Sequence, residues 1–132
     1  MNKKNTEKLY KDFPKLYSHH KQPCRETCMC WGFSCGDGWF KLIYELSSTI
    51  QSYIDNNKAP QVVVVQVKEK YGGLRFYTQG EDRLIHGMIW FADSLSYSIC
   101  EMCGSMKNVT QNKKGWISTL CKKCRREDDL IN

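Results

Sequence analysis

No apolar run in this chain approaches the roughly 20 residues that a membrane-spanning helix needs; the longest is Val62 to Val65. The lysine-rich start lacks the apolar segment of a secretory signal, so the expectation is a soluble protein in a reducing cytoplasm. There is no internal repeat, low-complexity tract or long linker, and 132 residues supply apolar material for one modest core rather than two. One compact unit is expected, finished by a metal-stapled end. Chemistry-bearing pairs are also scarce. His86 and the carboxylates Asp37, Asp82 and Asp93 form no recognisable acid/base pair and read as a helix-surface histidine, N-caps and solvated charges. Nor is there a helix rich in Arg or Asn of the kind that reads a DNA groove.

What the chain does have is cysteine. Eight would suggest four disulfides in a secreted protein; without a secretion signal, metal ligation is the better reading. Cys100, Cys103, Cys121 and Cys124 form two Cys-x-x-Cys pairs with seventeen residues between them. Each pair sets two thiolates on a tight turn, and two turns face to face complete a tetrahedral Zn²⁺ site of the zinc-ribbon type, closed and therefore structural. Gly104, just past the second cysteine, suits the backbone conformation such a turn demands. Iron takes the same donors, and spacing alone does not separate the two. Cys24, Cys28, Cys30 and Cys35, with His19 and His20 just before them, are a candidate second metal site, although gaps of three, one and four residues make no standard knuckle.

Apolar periodicity places the elements. Residues 6 to 17 read as a short helix capped by Thr6, with Leu9, Phe13, Leu16 and Tyr17 on one side and a break at Pro14. The main helix runs from an Asp37 cap to about Asp55 along Trp39, Leu42, Ile43, Leu46, Ile50, Tyr53 and Ile54, and ends at Asn56 to Pro60. Residues 61 to 69 and 74 to 78 read as a β-hairpin turned by Lys70 to Gly73. A second helix over 81 to 97 carries Leu84, Met88, Phe91 and Leu95 on one face, widened by Ile85, Ile89 and Trp90. A strand from Trp116 to Leu120 leads into the second knuckle. The fold class is therefore α+β: two main helices around a β-hairpin, with a C-terminal four-cysteine ribbon. Its parts are an N-terminal helix and Cys/His-rich loop (1–36), the helix/hairpin/helix core (37–98), the ribbon (99–126) and a frayed tail (127–132).

Charge bears on partners. The net +6 sits at the ends: residues 1–25 carry seven Lys/Arg against two acids, residues 26–97 six against eight, and residues 98–132 seven against four. Four thiolates around Zn²⁺ add about −2, which leaves the metal-bound chain near +4. Lys122, Lys123, Arg125 and Arg126, with Lys113, Lys114 and Trp116, could track phosphates while the indole stacks on a base. The hairpin offers a rival face for a protein partner in Lys70, Tyr71, Arg75 and Tyr77, since Tyr and Arg are common interface anchors. A nuclease reading is more remote: Gln66 and Lys68 share a strand face as in some metal-dependent nucleases, but the upstream acid, Asp55, falls on a helix end. A non-catalytic zinc-binding interaction protein is the expectation, with a nucleic-acid-binding zinc ribbon as the alternative.

Through CGDGWFKLI (35–43), VKEKYGGLRFY (67–77) and the terminal CEMCG and GWISTLCKKC, the chain resembles a family of small proteins of unknown function encoded in phages, prophages and bacterial genomes. The resemblance covers about residues 12 to 124. It implies a helix, a hairpin containing the Gly-Gly turn, a second helix and the terminal cysteine pairs, with Cys or His at the last metal position, here Cys124. Cys24 and Cys28 fall outside its pattern. A mobile-element origin implies action in a host cytoplasm by occluding a host protein or nucleoprotein complex, as a defence inhibitor does.

Overall fold

The computed structural model describes residues 1–131, with side chains to Glu127. Its elements are α1 (Lys3–Asp12), β1 (Phe33–Ser34), α2 (Phe40–Asn57), β2 (Val63–Lys70), β3 (Gly73–Gln79), α3 (Arg83–Ser96), β4 (Val109–Gln111), β5 (Thr119–Cys121) and α4 (Lys122–Ile131). This is the expected α+β architecture, with the four cysteines at its C-terminal end. No helix among the described residues is long and apolar enough to cross a membrane.

The N-terminal helix starts earlier than its sequence suggests. Asn2, not Thr6, caps α1 by accepting a hydrogen bond from the Asn5 N–H at 2.8 Å, and the helix stops at Asp12, two residues short of Pro14. Leu9, Phe13, Leu16 and Tyr17 are all buried, so the segment does close over the core. The Tyr17 hydroxyl is satisfied there by Ser47 Oγ at 2.6 Å.

Asp37 does not cap α2. It opens a short 3₁₀ turn (Asp37–Trp39), and its carboxylate is engaged instead by the Asn2 N–H at 2.7 Å. The α-helix then runs from Phe40, burying Ile43, Leu46, Ser47, Ile50 and Ile54, and ends with Lys58 in the left-handed conformation just before Pro60. β2 and β3 pair antiparallel around Tyr71-Gly72, both at positive φ (53° and 81°), which is the geometry of a two-residue hairpin turn with the twist of its strands. β1, which its sequence does not announce, adds a parallel edge through Phe33 and Val67. Two residues are too few to show a period.

The inward face of α3 differs from expectation. Ile85, Ile89, Ala92 and Ser96 are buried, whereas Leu84, Trp90 and Phe91 are exposed, Phe91 by 70%. Apolar residues surround this helix, so periodicity does not choose a side; the small Ala92 and Ser96 do, because they let the helix close on the sheet. Ser96 Oγ accepts the Leu74 N–H at 2.9 Å across that contact. At the C-terminus, where a tail is expected from residue 127, α4 spans Lys122–Ile131.

The ribbon lies against the core along two glycine pairs. Gly36 and Gly38 run beneath the turn that begins at Cys100, where a Cβ on either would overlap the Cys100 or Glu101 backbone. The Gly38 N–H donates to the Glu101 carbonyl at 2.7 Å and the Gly36 N–H to the Glu101 carboxylate at 2.8 Å. Trp39, fully buried, donates its indole N–H to the Ile99 carbonyl at 2.9 Å. Gly72 and Gly73 make the second contact, beneath Thr119 and Tyr97 respectively. Replacing Gly38 with Ala should therefore lower stability by about 2 kcal/mol or more in urea unfolding, as overpacking against backbone does. The control, Gly87→Ala in α3, meets no atom within 4 Å and should gain up to about 1 kcal/mol.

Candidate metal centre

Cys100 is delivered by the end of α3, and its N–H donates to the Ser105 carbonyl at 2.8 Å. The Gly104 N–H returns to the Cys100 carbonyl at 2.9 Å, closing a turn that sets Cys100 and Cys103 side by side. Gly104 has φ +82°, the conformation its place in the sequence calls for. β5 brings in Cys121, and the first turn of α4 brings in Cys124, whose N–H points at Cys121 Sγ at 3.5 Å. Antiparallel pairing of Val109 with Cys121 holds the second knuckle against the first.

The four sulfur atoms lie within 4.8 Å of one another, and Cys103 Sγ to Cys121 Sγ is 3.7 Å. A tetrahedron with metal–sulfur bonds of 2.3 Å has edges of about 3.8 Å, so the group could hold a metal ion. Cys100, Cys121 and Cys124 are buried and Cys103 is exposed. The Cys124 N–H, aimed at Cys121, draws that thiol down to about 7, while burial pushes Cys124 up. A cation among the four sulfurs would favour the thiolate at each of them.

Around the centre, the predicted contact residues divide. Arg125 is held inside the ribbon, donating to the Thr110 carbonyl at 2.7 Å and the Ser118 carbonyl at 3.0 Å. Lys122, Lys123 and Arg126 are exposed along α4, and Lys113, Lys114 and Trp116 along the β4–β5 loop, Trp116 by 81%. That loop is shaped by Asn112, whose amide N–H groups donate to the Lys114 and Trp116 carbonyls while its oxygen accepts the Ser118 N–H at 2.7 Å. The strand expected from Trp116 consequently begins only at Thr119.

On the hairpin, Arg75 donates to the Leu74 carbonyl at 3.0 Å and to the Tyr97 hydroxyl at 3.4 Å. It is committed within the fold rather than presented with Tyr71. Its neighbour Asp93 is pushed up to about 7 by burial, against the pull of the Arg75 charge. Tyr77 is part-exposed, and Lys70 and Tyr71 sit at the turn, Tyr71 exposed by 71%. A cleft of about 420 Å³ joins this turn to the ribbon loop, lined by Lys68, Glu69, Lys70 and Tyr71 on one side and Gly115, Trp116 and Ile117 on the other. The two faces predicted separately are thus adjacent, and Lys68, read earlier only as a remote catalytic residue, belongs to their junction. A second cleft of about 530 Å³ opens on the other side of Trp116, over Asp37, Glu101 and Met102.

The N-terminal cysteines do not assemble as the expected set of four. Cys24 and Cys30 form a disulfide, Cys28 is an exposed free thiol, and Cys35 is buried in the main core, where burial pushes its thiol up to about 12. Cys35 begins the CGDGW turn and is buried in the main core, whereas Cys24 and Cys28 are exposed. For the nuclease reading, Asp55 accepts a hydrogen bond from Gln51 on its own helix, while Gln66 lines a different cleft with His19.

Comparison with known protein families, with curated proteins and with solved structures finds no match to this chain.

Removing one sulfur tests the centre. Cys103→Ser, at the exposed corner, should weaken metal binding about 100-fold or more in a competition titration, roughly a quarter of a binding free energy of about 10–16 kcal/mol.

Proposed function

We propose that the metal is zinc and that the protein is a non-catalytic binding module whose working face is the seam between the hairpin turn and the ribbon loop. Four thiolates with tetrahedral spacing and no open position suit a structural Zn²⁺, which has no redox chemistry to offer. The observation that carries the binding reading is the pair of rings at the seam. Tyr71 and Trp116 are among the most exposed large side chains, yet both stand on backbone fixed by hydrogen bonds: Gly72 to Glu69 on one side, Asn112 to its loop on the other. Rigid aromatic groups lose little entropy when covered, and they dominate binding energy where they occur at interfaces.

The partner class we favour is a protein or nucleoprotein complex presenting an acidic surface, because Lys68 and Lys70 outnumber Glu69 in the wall of the seam, and Lys113 and Lys114 are exposed on the loop that borders it. The resemblance to phage-encoded proteins makes host defence complexes the first targets to screen, with inhibition by occlusion as the mode of action. Direct contact with single-stranded nucleic acid is the second reading, favoured by two rings able to stack on bases beside four cations.

Pull-down from nuclease-treated host lysate separates these readings: retention of one stoichiometric protein supports the first, and loss of every partner together with salt-sensitive oligonucleotide binding supports the second. Under either, Tyr71→Ala and Trp116→Ala should each lower affinity about 10-fold or more, while Tyr77→Ala should leave it near the wild-type value. Unchanged affinity in both seam variants would rule out this face.

A further inference from the structure

The loop between α1 and β1 contains a second group of soft ligands that the four-cysteine centre leaves unused. Of residues 18–31 only Thr27 and Met29 are buried. Apolar burial on that scale does little to offset the entropy of ordering the segment, so a cross-link has to hold it. The Cys24–Cys30 disulfide supplies one, joining two backbone positions 5.2 Å apart. Cys28 lies between them in sequence as a free, exposed thiol.

A cleft of about 310 Å³ brings His19 to this loop, lined by His19, Cys24, Thr27, Cys28 and Gln66. The Nδ1 atom of His19 is buried and has no hydrogen-bond partner. Such an atom lacks a partner within the fold, and a metal ion shared with the Cys28 thiol that lines the same cleft would supply one. His20 is not the equivalent group, since its ring is stacked on Tyr10 with centroids 4.0 Å apart and planes 13° from parallel. Cys35 is excluded by its place in the core.

We propose that His19, Cys24, Cys28 and Cys30 form a second metal site, a three-cysteine, one-histidine site for Zn²⁺, when the Cys24–Cys30 bond is reduced. A dithiol reductant opens the S–S bond and leaves as its own disulfide, so Cys24 and Cys30 together gain two electrons and two protons. Zn²⁺ then displaces the three thiol protons, and His19 binds as the neutral imidazole through Nδ1. The metal does not change oxidation state. With the two backbone positions already close, parting the sulfur atoms to the edge of a zinc tetrahedron, about 3.8 Å, lies within reach of side-chain rotation. Disulfide and metal are alternative fastenings of one loop, and the redox state of its surroundings selects between them.

The test is zinc per chain by elemental analysis on the full-length protein, saturated with Zn²⁺ and freed of excess by gel filtration. One arm keeps the disulfide. The other is reduced with a water-soluble phosphine, which ends as the phosphine oxide with oxygen from water. The proposal predicts one zinc per chain in the oxidised arm and two in the reduced arm. It also predicts that Cys28→Ser and His19→Ala each return the reduced arm to one zinc. Cys28 is exposed and outside the disulfide, so Cys28→Ser should leave the oxidised fold and its circular dichroism unchanged. One zinc in the reduced wild-type protein would overturn the proposal, as would two zincs retained in both variants. Failure of the four-cysteine centre is distinguished by the oxidised arm, which would then contain none.

Discussion

The structure depends on one backbone-to-backbone contact, the seating of the Cys100–Gly104 turn on Gly36–Trp39. Gly36 and Gly38 have no Cβ, so the two chain segments approach closely enough for both of their amide N–H groups to donate to Glu101. Trp39 then reaches under the turn to the Ile99 carbonyl while its ring fills the core. Two of the four cysteines that could hold a metal ion therefore rest on the same residues that lead into α2. A ribbon imagined as an appendage stapled to an independent core is, in the fold, continuous with it.

The hairpin makes the arrangement rigid from the other side. Thr119, two residues before Cys121 on β5, donates its hydroxyl to the Gly72 carbonyl at 2.5 Å, and Gln111 on β4 donates to the Tyr97 carbonyl at 2.9 Å. The turn that lifts Tyr71 into solvent is thereby pinned to the strand that carries Cys121. A metal bound at the four sulfurs would consequently influence a surface that does not touch it, because Trp116 and Tyr71 are placed by two ends of one braced unit.

How much of this was legible depended on whether the signal was local. The Cys-x-x-Cys pairs were readable because each turn forms its half of the site within four residues, and the stripe along α2 was readable because one of its faces is polar. The orientation of α3 was not, since Leu84, Phe91 and Trp90 are as apolar as the Ile85 and Ile89 that are buried; side-chain size at Ala92 and Ser96 decides it. The CGDGW stretch was recognisable as a signature, but its purpose depends on a partner segment more than 60 positions away, at Glu101. The hairpin turn and the ribbon loop are likewise far apart in sequence, with 47 positions between Gly72 and its partner Thr119, so their common seam was read as two competing faces. Among the N-terminal cysteines, spacing could not distinguish a core thiol at Cys35 from a bonded pair at Cys24 and Cys30.

The indole N–H of Trp39 reports directly on whether the four-cysteine cluster and core are one structure, because it belongs to the core and bonds the carbonyl immediately before Cys100. Its resonance should be followed by heteronuclear NMR as zinc is added to metal-free, disulfide-intact protein. The account predicts that the signal shifts in step with metal and stops at one equivalent. A Trp39 resonance that is identical with and without zinc would contradict it, and would mean that the ribbon hangs on the core without being built into it.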